Sequence, residues 1–193
     1  MRSLKEEWIA ALSLPEDGAR AAAARQIYAV GHSLADSAIQ RWRQNDEFAR
    51  LLGKDPEMTV GLAVGPETFA QIREANGWPQ LAEVPPEQDA SEFTLRFEAD
   101  TTLDVLTSRD PEGSGAIAKF LSKLGEGIQQ VEFRCSDVNR ATAILRDQFA
   151  VIPVYPEARP GADGTLVNFF LAGAADGKKV LIELYEPGAI RFE

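Results

Sequence analysis

Two acids sit inside apolar strand-like runs of this sequence: Asp104 in Leu103-Asp104-Val105-Leu106 and Glu183 in Ile182-Glu183-Leu184-Tyr185. An unpaired carboxylate is costly to bury, so an acid in such a run needs a partner or a use. Two carboxylates brought close raise one another's affinity for a proton, and burial adds to the effect. A group tuned in this way can both take and return a proton. A third feature lies in GIQQVEFRCSDV, where Gln129 and Gln130 stand at the mouth of a strand. A metal-binding protein often carries histidine at such a place. The candidate chemistry is therefore proton transfer in a site built from carboxylates and amides.

The elements that must position these residues occur twice. MTVGLAV reads as a strand, PETFAQIREANG as a helix with Phe69, Ile72 and Ala75 on one side, and SEFTLRFE and TTLDVLTS as strands. Phe93, Leu95 and Phe97 alternate with period two, so one face of that strand is buried. A connecting helix, SGAIAKFLSKLG, is expected to turn Ile117, Phe120, Leu121 and Leu124 inward. From Gly127 the order returns: GIQQVEFRC as strand, DVNRATAILRDQF as helix with Val138, Ala141 and Leu145 aligned, then LVNFFLA and KVLIELYE as strands. RPGADG between them reads as a tight turn. This is an internal βαβββ repeat with a period near 70 residues, over about 58–110 and 127–187. A third strand of the first copy, around QLAEV, has the weakest signal.

A twofold repeat makes Thr59 equivalent to Gln130 and Asp104 equivalent to Glu183. Paired about a pseudo-twofold, the two copies would turn these four residues toward one cleft. Alternation alone is also consistent with both acids facing solvent. Their recurrence at the same place in both copies favours the cleft.

Residues 1–57 read as a helical N-terminal extension, and 58–193 as the repeat domain. SLKEEWIAALS spaces Leu4, Trp8, Ile9 and Leu12 on one helical face. Pro15 opens a second helix, PEDGARAAAARQIYAVG, and a third, LADSAIQRWRQNDEFARLLG, carries Ile39, Trp42 and Leu52 and stops at Gly53. These apolar stripes need cover, so the helices should dock on a sheet or a partner chain. His32 falls at the junction of the second and third helices. With no second histidine and one cysteine in the chain, it reads as a capping or surface residue rather than a ligand.

Composition narrows the function classes. The chain has 193 residues, 45% hydrophobic and 26% charged, which is ordinary globular material. Its net charge of −10 disfavours nucleic acid and anionic membrane surfaces as partners. No stretch has the apolar length of a signal peptide or a membrane span, which makes the cytoplasm the expected location. Cys135 is alone, so no disulfide forms within the chain.

GSGAIAKFLSKLGEGIQQVEFRCSDV and RPGADGTLVNFFLAGAADGKKVLIELYE together resemble methylmalonyl-CoA epimerase of the vicinal-oxygen-chelate superfamily. NGWPQLAEVPPEQ is similar to the family's Gly-Trp and Pro-Glu-Gln segment. The likeness covers roughly residues 58–187. It implies an α+β fold of two paired βαβββ modules whose curled sheets form a cleft. It also implies proton removal and return at the carbon next to an acyl-CoA thioester carbonyl, with a divalent metal as Lewis acid. Glu183 matches the family's ligand glutamate and Glu87 its acid/base glutamate. The other ligand positions hold Thr59 and Gln130 in place of histidine and Asp104 in place of glutamine. Transition metals favour nitrogen donors, so no tightly held metal is expected, and at most magnesium or calcium held weakly.

The resemblance thus implies an epimerase-like isomerase or lyase-type enzyme acting without the usual metal, with Glu183, Glu87 and Asp104 as its catalytic acids. The alternative it allows is a non-catalytic small-molecule binding protein of the bleomycin-resistance type. A structural protein using its helical N-terminus as a contact surface is the third class. The expected partner is a small molecule, an acyl-CoA above all. Superfamily members often pair chains through sheet edges or helices, which makes a homodimer the expected oligomer.

Overall fold

The structure, a computed structural model, describes residues 4–98, 100–174, 177 and 179–188. The fold is α+β and divides into two units, each pairing one copy of the repeat with part of the helical segment.

The first unit comprises the chain through Gly31 and Thr59–Gln129. It holds α1 (Leu4–Ala11), the first part of α2 (Asp17–Trp42), β1 (Met58–Ala63, from Thr59), α4 (Pro66–Ala75), β2 (Ser91–Phe97), β3 (Thr101–Thr107) and α5 (Ala116–Leu124). β1 runs parallel to β3, and β2 pairs antiparallel with β3. β1 is buried along its whole length, as a parallel strand covered on both faces should be. On β2 the period-two reading holds for Phe93 and Leu95, which are buried, with the Phe93 ring 4.7 Å from that of Phe69 on α4. Ile9, Leu12 and Ile27 are buried, so the stripe read from α1 does find cover; the side chain of Leu4 lies outside the described residues.

Three details differ from the sequence reading. The segment around QLAEV forms no strand; the Ala82 N–H donates to the Glu92 carbonyl, and the pairing goes no further than a loop. Leu124 is 67% exposed, because it falls in the last turn of α5, while Ile117 and Ala118 carry the buried face. The second and third helices expected from the sequence are one element up to Trp42, so His32 lies exposed within α2 rather than at a junction. Gly31 does not break α2. A Cβ there would lie 2.4 Å from Val60 Cγ2, so glycine admits the close approach of helix and strand.

The second unit comprises His32–Met58 and Gln130–Glu193, of which residues 189–193 lie outside the described set. It holds the end of α2, α3 (Asp46–Leu52), β4 (Gly127–Arg134, from Gln130), α6 (Val138–Phe149), β5 (Arg159–Pro160), β6 (Leu166–Gly173) and β7 (Lys179–Glu186). β4 runs parallel to β7, β6 antiparallel to β7, and β5 antiparallel to β6. The first-strand-to-last-strand parallel pairing thus occurs in both copies, as the repeat requires. RPGADG is a turn, closed by the Gly161 N–H on the Thr165 carbonyl.

Alternation divides the second half-sheet cleanly. Asn168, Phe170, Ile182 and Leu184 are buried on the face toward α6, where Asn168 Nδ2 donates to Thr142 Oγ1 at 3.3 Å. Trp42 from α2 packs on the same side, edge-on to Phe170 at 6.1 Å and to Phe48 at 6.0 Å. Asn45 caps α3 by accepting from the Phe48 N–H, and Gly53 ends it with a φ of 82°. Glu47 on α3 takes both Arg140 nitrogens of α6 at 2.6 Å, a bidentate clamp across the two helices.

Cys135 follows β4 and is 1% exposed. Burial pushes its thiol up to about 11, against an ordinary value of 9.0. The thiolate is the reactive form, so iodoacetamide at pH 8 should alkylate Cys135 about 100-fold more slowly in the folded protein than in urea. Equal rates in the two conditions would show an accessible, ordinary thiol.

Candidate active site

Register places the residues picked out from the sequence. In the second unit Glu183 on β7 is paired with Glu132 on β4. Paired residues on adjacent strands share a face, and residues two apart on one strand do too. Gln130, Glu132 and Glu183 therefore share the face turned away from α6. The side chains meet there: Gln130 Nε2 donates to Glu183 Oε2 at 2.6 Å and to Glu132 Oε1 at 3.0 Å. Gln130 and Glu132 are 7% and 6% exposed. One amide thus holds two carboxylates of neighbouring strands, and charge-assisted hydrogen bonds of this kind are the stronger ones.

Gln129, one residue earlier, belongs to the other face by alternation; its Oε1 is buried without a partner among the described residues. Of the two glutamines, Gln130 joins the polar group and Gln129 does not.

Glu132 is the residue that sequence reasoning missed. Its signal was present, since it lies two residues beyond Gln130 and must share its face. What the sequence lacks is the pairing of β4 with β7 in a register that sets Glu132 opposite Glu183.

In the first unit Asp104 on β3 is paired with Gly61 on β1, and Thr59 lies two residues from Gly61 on the same face. The equivalence read from the repeat holds position by position: Thr59, Gly61 and Asp104 in one copy stand where Gln130, Glu132 and Glu183 stand in the other. Copy one has no side chain where copy two has Glu132. The Thr94 hydroxyl on β2, the antiparallel register partner of Asp104, donates to Asp104 Oδ1 at 2.5 Å. Glu87 is exposed in the turn at Pro85–Gln88, which the Gln88 N–H closes on the Pro85 carbonyl. Asp89 ties the end of this turn to the loop after β3, accepting from Ser108 Oγ at 2.6 Å and from the Asp110 N–H at 3.0 Å.

The donors on the second half-sheet are two carboxylates and an amide whose NH₂ points at both. An amide that aims its hydrogens at the carboxylates turns a positive dipole end to the place a cation would need. Transition metals at such sites favour imidazole or thiolate, and this group has neither. Among the described residues, no three His, Cys, Asp or Glu side chains are grouped as metal ligands would be. The group does not fit a transition metal. Among the described residues no helix is long and apolar enough to cross a membrane.

Two copies built on a first strand parallel to the last, each with an acid at the matching place in the last strand, define a vicinal-oxygen-chelate fold. Solved structures carry this further. The methylmalonyl-CoA epimerase of Mycobacterium tuberculosis is 32% identical, with a TM-score of 0.57 over 72% of this chain and 91% of that one. A methylmalonyl-CoA epimerase in complex with methylmalonyl-CoA and NH4+ is 27% identical, with a TM-score of 0.54 over 68% of this chain and 94% of that one. A Streptomyces coelicolor methylmalonyl-CoA epimerase variant in complex with 2-nitronate-propionyl-CoA is 25% identical, with a TM-score of 0.53 over 68% of this chain and 96% of that one. The chain belongs to the methylmalonyl-CoA epimerase family. No family model matches it, and no curated protein does.

Proposed function

We propose that this protein moves a proton at the carbon next to the thioester carbonyl of an acyl-CoA, with Glu183 as a proton carrier and without a transition metal. The observation that supports this best is the bridge from Gln130 to Glu132 and Glu183. It holds a carboxylate in fixed orientation on a sheet face, as a general base must be held. The related structures with methylmalonyl-CoA and 2-nitronate-propionyl-CoA supply the substrate class.

In the step proposed, the α-carbon–hydrogen bond breaks, the proton goes to a Glu183 oxygen, and the electron pair moves to the thioester oxygen as an enolate. As Glu183 becomes neutral, the Gln130 N–H that pointed at it loses its anionic acceptor. That N–H then serves as a donor to developing negative charge, the kind of stabilisation such reactions need. Return of the proton from Glu183 restores the starting hydrogen bond. Histidine replacement at Thr59 and Gln130 belongs to this reading, as do the second proton carrier at Glu87 and an assisting role for Asp104.

Incubation with propionyl-CoA and with methylmalonyl-CoA in D₂O tests it. Deuterium should enter the α-position by mass spectrometry in protein stripped with EDTA, at a rate unchanged by the stripping. Exchange that vanishes with EDTA and returns with cobalt would overturn the metal-free reading. A non-catalytic binding protein is the second reading, favoured by one observation: both Gln130 N–H groups are already committed to carboxylates. Tight binding with no exchange would decide for it.

A further inference from the structure

The face that carries Glu183 continues across the half-sheet to a positive group that the proton chemistry leaves unused. Glu183 is paired with Phe169 on β6, so the two share a face. The Phe169 ring lies edge-on to Tyr155 at 6.1 Å and 71°. Over the Tyr155 ring, 4.1 Å from its centroid, sits the guanidinium of Arg159. Arg159 is paired with Val167, two residues from Phe169 on β6, which places it on the same face by a second route. Acid, two aromatic rings and cation form one string. Strand spacings of about 4.8 Å and rises of about 3.4 Å per residue put the ends on the order of 12 Å apart.

The Arg159 side chain has no ion pair or hydrogen-bond partner among the described residues, and its Nε is buried without one. Buried donors are normally satisfied, and one that is not calls for an explanation. Stacking on Tyr155 accounts for where the guanidinium plane lies, but it leaves the buried Nε–H unmet. A stacked guanidinium is a fork already oriented for planar, bidentate capture of carboxylate or phosphate.

We propose that Arg159 anchors an anionic oxygen group, carboxylate or phosphate, on a ligand that lies across Phe169 and Tyr155 with its polar end at Glu183. This deepens the acyl-CoA reading and rests on it for the placement of that polar end, but the anchor itself rests on Arg159. In an acyl-CoA the anion is either a phosphate of the carrier or a carboxylate at the far end of a longer acyl chain, since one borne on the α-carbon could not span both rings.

Calorimetric titration of the full chain and of Arg159→Met and Arg159→Lys distinguishes these sources. The probes are propionyl-CoA, S-propionylpantetheine, which has no phosphate, and S-adipylpantetheine, which has a distal carboxylate and no phosphate. Loss of a charge-assisted hydrogen bond should weaken binding by about 10- to 100-fold in Arg159→Met, with a smaller loss in Arg159→Lys. A phosphate anchor appears as a loss confined to propionyl-CoA, and a carboxylate anchor as a loss confined to S-adipylpantetheine. Thermal melting of each variant is read alongside. If Arg159→Met binds all three within twofold of the wild type, the anchor is overturned, whatever the deuterium exchange does. If binding depends on Arg159 but no α-proton exchanges, the anchor stands and the proton-transfer reading falls. If the wild type binds none of the three, both fall.

Discussion

Glu183→Gln should keep its fold and lose deuterium exchange at the α-carbon by about 10²- to 10⁴-fold, the usual contribution of a positioned acid or base. The fold should survive because a glutamine carbonyl at 183 still accepts from Gln130 Nε2, now 2.6 Å from Glu183 Oε2. The substitution also removes one of two carboxylates held on a single amide, so the melting temperature should stay the same or rise. Glu132→Gln is the companion variant. It relieves the same repulsion while leaving the proton carrier in place, so exchange should fall much less than in Glu183→Gln. Near-equal losses in the two variants would mean that the pair works as a unit. Full activity in Glu183→Gln, with a cooperative melt like that of the wild type, would remove Glu183 from the chemistry.

Trp42→Ala should cost about 3–5 kcal/mol, the range for emptying a large aromatic site in a core. Trp42 is 2% exposed and packs edge-on against Phe48 of α3 and Phe170 of β6. Its removal would leave a cavity between the helical segment and the second half-sheet, whose rigid strands cannot close it. For a chain of this size such a loss lowers the melting temperature by roughly 6–20 °C. Urea unfolding of the wild type and the variant gives the difference directly. A loss under about 1 kcal/mol would mean that the helices contribute little to that unit. The double variant with Phe170→Ala then separates the ring–ring contact, worth about 0.5–1.5 kcal/mol beyond the buried area.

Much of the architecture was legible in the chain because it depends on local periodicity. Phe93 and Leu95 repeat every second residue and Val138, Ala141 and Leu145 every third or fourth, and each pattern survives as the buried face of its element. The repeat was legible for the same reason: Asp104 and Glu183 each follow an apolar residue in a closing strand, and β3 and β7 do close the two copies in the same way. Gly53 ends a helix because glycine, with no Cβ, reaches a positive φ at no steric cost.

The remainder depended on which elements meet. Gly31 reads as a helix breaker in the sequence, yet α2 runs through it, since the absent side chain lets Val60 approach and burial there outweighs the propensity cost. Leu124 fits the stripe of α5, but among the described residues no neighbouring element covers the helix's last turn. Glu132 reads as one more charged residue on a strand. Only the parallel pairing of β4 with β7, in a register that no local pattern specifies, sets it opposite Glu183 with Gln130 between them. Arg159 is likewise mute in the sequence, because a two-residue strand carries no periodicity. Its place beside Tyr155 comes from the antiparallel closure of β5 on β6. Local sequence determined which residues could form strands and helices and which faces would be apolar. Tertiary pairing decided which polar groups share a face, because hydrogen-bonded register is a relation between segments distant in the chain.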